Sequence, residues 1–249
     1  MGQREIQWQG GSGPAGLSAS EVHVWKISLE QSPELIRAYD GILSSDERSR
    51  AEGASLEKER ECFSLCRGFL RMLLGRYGGI APEAIRFQKG KQGKLILDPS
   101  FPDADIEFTL SHSGRVALFA LARGRRLGVD VEKIRATARL EEIARNCFSP
   151  AETEAIRGLP EDMRVNAFYA CWTRKDAAIK ALGGSIVELM NKVIVSTLPA
   201  GPARLLQMPS GASDASGWRL HDLPVGEGYA AALCHEGHDA EVLLWEPDA

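Results

Sequence analysis

Positions Val22 to Leu29, VHVWKISL, alternate between apolar and polar, the pattern of a strand with one buried face. A helical stretch follows. Leu43-Ser44-Ser45-Asp46-Glu47 has the form of a helix start, with Ser44 as the cap and Glu47 closing a capping box three residues on. Apolar positions then recur at helical spacing from Cys62 to Tyr77, and Gly78-Gly79 supplies the stop. Ile106–Ser113 and Arg115–Ala122 read as two strands joined by a turn at Ser113-Gly114. The same order then recurs. Leu127–Ile134 is strand-like, and Ser149-Pro150-Ala151-Glu152 repeats the capping box with proline at the first helical position. Helical spacing runs on from Asn166 to Leu182 and ends at Gly183-Gly184.

One offset relates the two passages. Ser44 and Ser149, Glu47 and Glu152, Phe63 and Phe168, Cys66 and Cys171 all lie 105 positions apart, as do the two Gly-Gly stops. This repetition predicts an α/β (α+β) chain made of two similar halves, a pseudo-dimer with a central cleft. The expected boundaries are a flexible tail over 1–20, an N-terminal half over 21–124 and a C-terminal half over 125–249. The tail is rich in Gly and Ser and has no apolar core, so it does not read as a signal peptide.

Composition narrows the class. With 249 residues, 44% hydrophobic and 26% charged, the chain matches ordinary soluble globular proteins rather than collagenous or disordered ones. No apolar run reaches the roughly 18 to 20 residues that a membrane span requires. Five cysteines, an odd number in a large chain, predict reduced thiols and a cytoplasmic location. A net charge of −4 argues against nucleic acid as a partner. Within this acidic total, Arg48, Arg50, Arg60, Arg67, Arg71, Arg76, Arg86, Lys89, Lys91 and Lys94 form a basic stretch, which suits a small phosphorylated ligand.

Three segments carry candidate chemistry. Asp130 and Glu132 are two apart on a predicted strand and share a face, while Val129 and Val131 turn to the core. Two such carboxylates converge on a divalent cation, with magnesium the expected ion where phosphates complete the shell, or else they lie solvated at a strand end. Trp172, Asp176 and Lys180 form one helical stripe. Taken alone, Asp176 and Lys180 are equally a surface ion pair. Ser111-His112, at a strand end before a glycine, is either turn chemistry or a phosphate contact. No G-x-S-x-G elbow makes Ser111 a hydrolase nucleophile, and Gly93-Lys94 lacks the P-loop spacing.

Together these segments resemble the 4′-phosphopantetheinyl transferases, in particular the long pseudo-dimeric, surfactin-synthetase-activator type. The resemblance rests on Gly93-Lys94, Leu-Ser-His-Ser-Gly at 110–114 and Gly-Val-Asp-Val-Glu-Lys at 128–133. It continues through Phe148-Ser149 with Glu152 to Trp-Thr-Arg-Lys-Asp-Ala-Ala-Ile-Lys at 172–180. It covers about Ser44 to Gly184, with two departures: aspartate at 176 where the family more often has glutamate, and Leu95 where it usually has proline.

The resemblance implies an enzyme that moves phosphopantetheine from coenzyme A to a serine of an acyl, polyketide or peptidyl carrier protein, releasing adenosine 3′,5′-bisphosphate. It implies that Asp130, Glu132 and Asp176 bind Mg2+. Asp176, Lys180 and Glu132 would be catalytic. Arg48, Arg50, Arg60, Gly93, Lys94, Ser111, His112 and Lys175 would hold coenzyme A. A monomer is expected, because both halves of the cleft lie in one chain. The competing expectation is a catalytically weak homologue that only binds coenzyme A or a carrier protein. Retention of Asp130, Glu132, His112 and Lys180 together favours the enzyme.

Overall fold

The computed structural model describes residues 7–90, 93–136, 139–199, 201–209 and 214–248. The first part of the chain gives β1 (Trp8–Gly10), β2 (Glu21–Ser28), α1 (Pro33–Gly41), α2 (Ser45–Glu52) and α3 (Glu57–Gly78). There follow β3 (Phe87–Lys89), β4 (Leu95–Leu97), β5 (Ile106–Ser113), β6 (Val116–Arg123) and β7 (Leu127–Lys133). The second part adds α4 (Leu140–Cys147), α5 (Pro150–Arg157), α6 (Glu161–Leu182) and α7 (Ile186–Leu189). It closes with β8 (Ile194–Val195), β9 (Leu205–Gln207), β10 (Trp218–Asp222), β11 (Tyr229–Glu236) and β12 (Glu241–Glu246). This is the expected α/β architecture.

The internal duplication is explicit in the strand order. The larger sheet runs β1-β12-β2-β6-β5 and the smaller β10-β11-β7, so β2, β6 and β5 correspond to β7, β11 and β10. Alternation along each strand decides the packing. In the first half Trp25, Ile27, Phe108 and Phe119 face α3, while Val22, Val24, Leu118 and Ala120 face away and meet Leu127, Val129, Val131 and Leu233 of the other sheet. Each fully buried valine or leucine among them contributes about 1.5–3 kcal/mol, which joins the two halves back to back. Helix α6 covers the outer face of the second sheet over Leu220, Ala232 and Cys234.

The helices correct the single offset of 105. Both capping boxes form, with Ser44 N–H donating to Glu47 at 3.0 Å and Ser149 N–H donating to Glu152 at 2.9 Å. Beyond them the link into the long helix is one residue shorter in the second half, from Gly158 to Glu161 against Gly53 to Glu57. Helices α3 and α6 are each 22 residues long and end on left-handed glycines, Gly79 (φ 62°) and Gly183 (φ 66°). Within them the true offset is therefore 104. Phe63 and Cys66 do not correspond to Phe168 and Cys171. Instead Arg71 corresponds to Lys175, and each is buried against the capping glutamate of its own half: Arg71 Nε to Glu47 at 2.7 Å and Lys175 Nζ to Glu152 at 2.6 Å.

Two boundaries also shift. Residues 1–6 of the expected tail lie outside the described residues, but from Trp8 onward the segment belongs to the fold. Strand β1 pairs in parallel with β12, Leu17 is buried in the first core, and Arg76 donates to the carbonyls of Ser12 and Gly13. Strand β12, from the second half, pairs in parallel with β2 of the first, with Glu241 opposite Glu21 and Trp245 opposite Trp25. The two halves are thus interleaved rather than divided at residue 125.

Candidate active site

Strand β5 is an edge of the larger sheet and lies beside β7. Alternating residues of β5 meet alternating residues of β7: Ser111 Oγ donates to Asp130 at 2.7 Å, and Ser113 Oγ donates to Glu132 at 2.8 Å. Helix α6 closes the third side. Its approach requires Gly128, because a Cβ there would stand 2.0 Å from the Ala177 carbonyl oxygen and 2.5 Å from the Ala181 nitrogen. That contact brings Lys180 across β7. Its ammonium reaches Asp130 at 2.8 Å, Asp176 at 3.2 Å, Ser111 Oγ at 3.3 Å and the Val129 carbonyl at 3.2 Å.

The charges do not balance. Asp130, Glu132 and Asp176 present three carboxylates to one ammonium. Asp130 and Asp176 are nearly inaccessible, and one oxygen of each, Oδ2 of Asp130 and Oδ1 of Asp176, has no hydrogen-bond partner. Burial pushes the Asp176 carboxyl up to about 7, with Lys180 pulling it down and Asp130 pushing it further up. Burial also raises Glu132, against the Ser113 hydroxyl. Burial works against the charge on Lys180, yet Asp130 and Asp176 hold it above its ordinary range.

Among the described residues no three acidic, histidine or cysteine side chains converge as a ready-made metal site, and Lys180 contacts both aspartates. The donor set nevertheless fits a hard divalent cation. Two orphaned buried carboxylate oxygens and uncompensated negative charge are what such an ion takes up.

His112 follows Ser111 on β5 and so turns to the opposite face, toward α3. Its Nδ1 lies 3.8 Å from Cys62 Sγ. Here a groove of about 1280 Å³ opens between β5, α3 and the segment after β2, lined by His112, Cys62, Phe63, Arg50 and Arg67. Arg50 and Arg67 lie 5.3 and 5.6 Å from the centre of the Phe63 ring, a cationic and aromatic wall. On the other side of Leu110 a cavity of about 320 Å³ is lined by Gly93, Lys94, Thr109, Lys180 and Gly183. Lys94 pairs with Glu107 at 3.2 Å, and Gly93 takes a left-handed φ of 78°.

Of the residues expected from sequence, Asp130, Glu132, Asp176, Lys180 and Ser111 thus come together. His112 and Arg50 share the groove, and Gly93 and Lys94 adjoin Lys180. Three others are corrected. Lys175 is fully buried, bound to Glu152 and to the Val193 carbonyl at 2.5 Å; one residue from Asp176, it points about 100° around the helix and into the core. Arg48, two residues from Arg50, faces almost the opposite way on its helix, and neither Arg48 nor Arg60 lines the groove. Arg48 reaches the Asp40 and Gly41 carbonyls, and Arg60 lines a separate small cavity beside Asp40 and Glu61.

Sequence reasoning missed Ser113, although its spacing from Ser111 matches that of Glu132 from Asp130. It also missed Gly128, on the same strand face, and did not single out Arg67 from the basic stretch.

Comparison with known proteins bears on this arrangement. The family model of the 4′-phosphopantetheinyl transferase superfamily matches residues 126–234, a stretch that contains both β7 and α6. The chain is 34% identical over 229 residues to the 4′-phosphopantetheinyl transferase HetI of Nostoc sp., covering 92% of this chain and 93% of that one. It is 34% identical over 130 residues to AcpT of Salmonella typhimurium, covering 52% and 64%. It is 27% identical over 165 residues to Sfp of Bacillus subtilis, covering 66% and 69%.

Proposed function

The chain belongs to the 4′-phosphopantetheinyl transferase superfamily, and on that premise we propose that it moves the phosphopantetheine arm of coenzyme A to a serine hydroxyl of a carrier protein. The observation that carries this reading is the buried Asp130–Lys180–Asp176 group, with its two orphaned oxygens, set beside a cationic groove at His112.

The serine oxygen attacks the phosphorus that bears the phosphopantetheine arm, and the bond to the bridging oxygen of the diphosphate breaks. Adenosine 3′,5′-bisphosphate leaves. Asp176, one helical turn before Lys180 and beside Asp130, is suited to take the serine proton, directly or through water. Lys180 places its ammonium where negative charge grows on the leaving oxygen, so its effect falls on the transition state. His112, Arg50 and Arg67 line the groove that would receive the phosphates of coenzyme A, with Arg capable of bidentate contacts. Lys94 adds a cation on the far side of Leu110. Asp130, Glu132 and Asp176 would hold a magnesium ion, which when bound supplies charge neutralisation to the diphosphate.

Both halves contribute to one cleft, so a monomer is sufficient. No helix among the described residues is long and apolar enough to cross a membrane, and the five cysteines are free. A cytoplasmic enzyme acting on acyl, polyketide or peptidyl carriers accords with both observations.

The test is mass spectrometry of a carrier protein incubated with the enzyme, coenzyme A and magnesium. A gain of one phosphopantetheine on the carrier serine, lost in Asp130→Ala, is the expected result. An unmodified carrier with tightly bound coenzyme A would instead indicate a binding module, and released inorganic phosphate a hydrolase.

A further inference from the structure

Five free thiols are distributed unequally over this fold. Cys171 and Cys234 are fully enclosed in the second core, and Cys147 packs against the same core from α4. Cys62 differs. It lies on the groove wall, partly exposed, 3.8 Å from the Nδ1 atom of His112, with Cys66 one helical turn further along α3 on the same wall.

This is a cluster of two thiols and an imidazole, with Cys62 partly exposed on the groove and Cys66 buried behind it. The Cys66 thiol donates toward Cys62, and with His112 it outweighs burial and brings the Cys62 thiol down to about 5. His112 is raised by the same contact, against burial. Cys66, which supplies the donor, is itself pushed well up. A thiolate held by an imidazole and open to solvent is the reactive form of cysteine. None of the chemistry assigned above to Asp130, Asp176 and Lys180 uses it.

We propose that Cys62 is a site of reversible mixed-disulfide formation with low-molecular-weight disulfides, and that the adduct closes the groove at His112. The Cys62 thiolate attacks one sulfur of the disulfide R–S–S–R. A Cys62–S–S–R bond forms, the S–S bond of the reagent breaks, and R–S⁻ leaves and is protonated by solvent. The Cys62 sulfur is oxidised and the departing sulfur reduced, so no further oxidant is needed. The added group occupies the groove and severs the Cys62–His112 contact. The loss of transfer that follows rests on the function proposed above; formation of the adduct does not.

The experiment treats the full chain with glutathione disulfide and reads intact mass and peptide maps over time, without carrier or coenzyme A. The expected result is one glutathione at Cys62, forming at least about tenfold faster than at Cys147 and removed by dithiothreitol. Cys62→Ser should take up none at that rate. His112→Ala and Cys66→Ala, each of which removes one stabilising partner, should slow the reaction several-fold, and either variant suffices if the other fails to fold. First modification at Cys147, or equal rates at the two thiols, overturns the proposal, as does a Cys62 rate unchanged in both partner variants. A second arm follows transfer activity before and after modification. Untreated enzyme that transfers nothing refutes the functional reading and leaves the adduct result standing. Active enzyme that carries the adduct and keeps its full rate refutes the closure of the groove.

Discussion

Substituting Gly128 by alanine should damage stability and turnover together, because one contact supports both. The new methyl carbon would lie 2.0 Å from the Ala177 carbonyl oxygen, 2.5 Å from the Ala181 nitrogen and 2.8 Å from Lys180 Cβ. A Cβ essentially never approaches a heavy atom closer than 3.0 Å, so β7 and α6 must part by about 1 Å at this crossing. Two of the three opposing atoms are helix backbone, which cannot rotate aside.

Nor can α6 retreat freely. Lys175 anchors it to Glu152, and Arg174 anchors it to Asp222 at 2.8 and 2.5 Å. Overpacking of this kind costs about 1–3 kcal/mol, and the rigid surroundings place Gly128→Ala at the upper end. At about 2–4 °C per kcal/mol for a chain of this size, the melting temperature should fall by roughly 6–12 °C. The same displacement carries Asp176 and the root of Lys180 away from Asp130. A misplacement of about 1 Å costs on the order of a hundredfold in rate. The assay pairs thermal unfolding with carrier modification at saturating coenzyme A, well below the variant's midpoint. Wild-type melting and wild-type turnover in Gly128→Ala would refute the close approach on which the site was built. A lowered midpoint with unchanged turnover would show that the helix contact and the chemistry are independent.

At the acidic group, Asp176→Glu should keep transfer within about tenfold, equivalent to about 1.4 kcal/mol in the barrier, whereas Asp176→Asn at the same magnesium concentration should be far slower; the reverse order in initial rates would reduce Asp176 to a helix ion pair. Lys180→Ala should lower kcat strongly with a smaller change in coenzyme A affinity, and calorimetry showing that affinity accounts for the whole rate loss would make it a ground-state anchor. On β11, burial drives His235 down to about 4, and its stacked neighbour His221 is lowered by burial too. A base whose folded pKa is depressed takes up its proton on unfolding, so its contribution is intact above about 6.5 and is lost as pH falls from there through about 4. His235→Gln should therefore flatten the acid limb of a stability–pH profile measured by urea unfolding, and an unchanged limb would show that the acid sensitivity arises elsewhere.

What the sequence made legible was whatever depends on short-range spacing. Asp130 and Glu132 share a strand face and Asp176 and Lys180 a helix stripe in any fold that preserves those elements. The two capping boxes needed only four residues each. Lys175 was misplaced although a local signal existed: Cys171, Ala178, Ile179 and Leu182 mark its side of α6 as apolar, where it meets Glu152. Arg48 and Arg60 failed for a different reason, since which side of α2 or α3 borders the groove is decided by how those helices pack. The pairing of β12 with β2 had no local signal at all, because its hydrogen bonds join opposite ends of the described chain and either strand alone reads as an ordinary one.

That pairing bears on the order in which the molecule can be assembled. During synthesis β2 emerges early, but Glu21 and the residues after it have no partner on one side until Glu241 and its neighbours leave the ribosome. The equilibrium cost of closing so long a loop is modest, because it grows only with the logarithm of length, about 0.6 kcal/mol per doubling. The cost in time is not, since contacts this distant in sequence slow the search for the native pairing. Meanwhile the open edge of β2 exposes unpaired backbone groups beside Val22, Val24 and Trp25, a template for association with other chains. A nascent chain stalled before β12 should therefore be sticky even though its α3 core residues have all been made. The half of the protein that is translated first is the last to be finished.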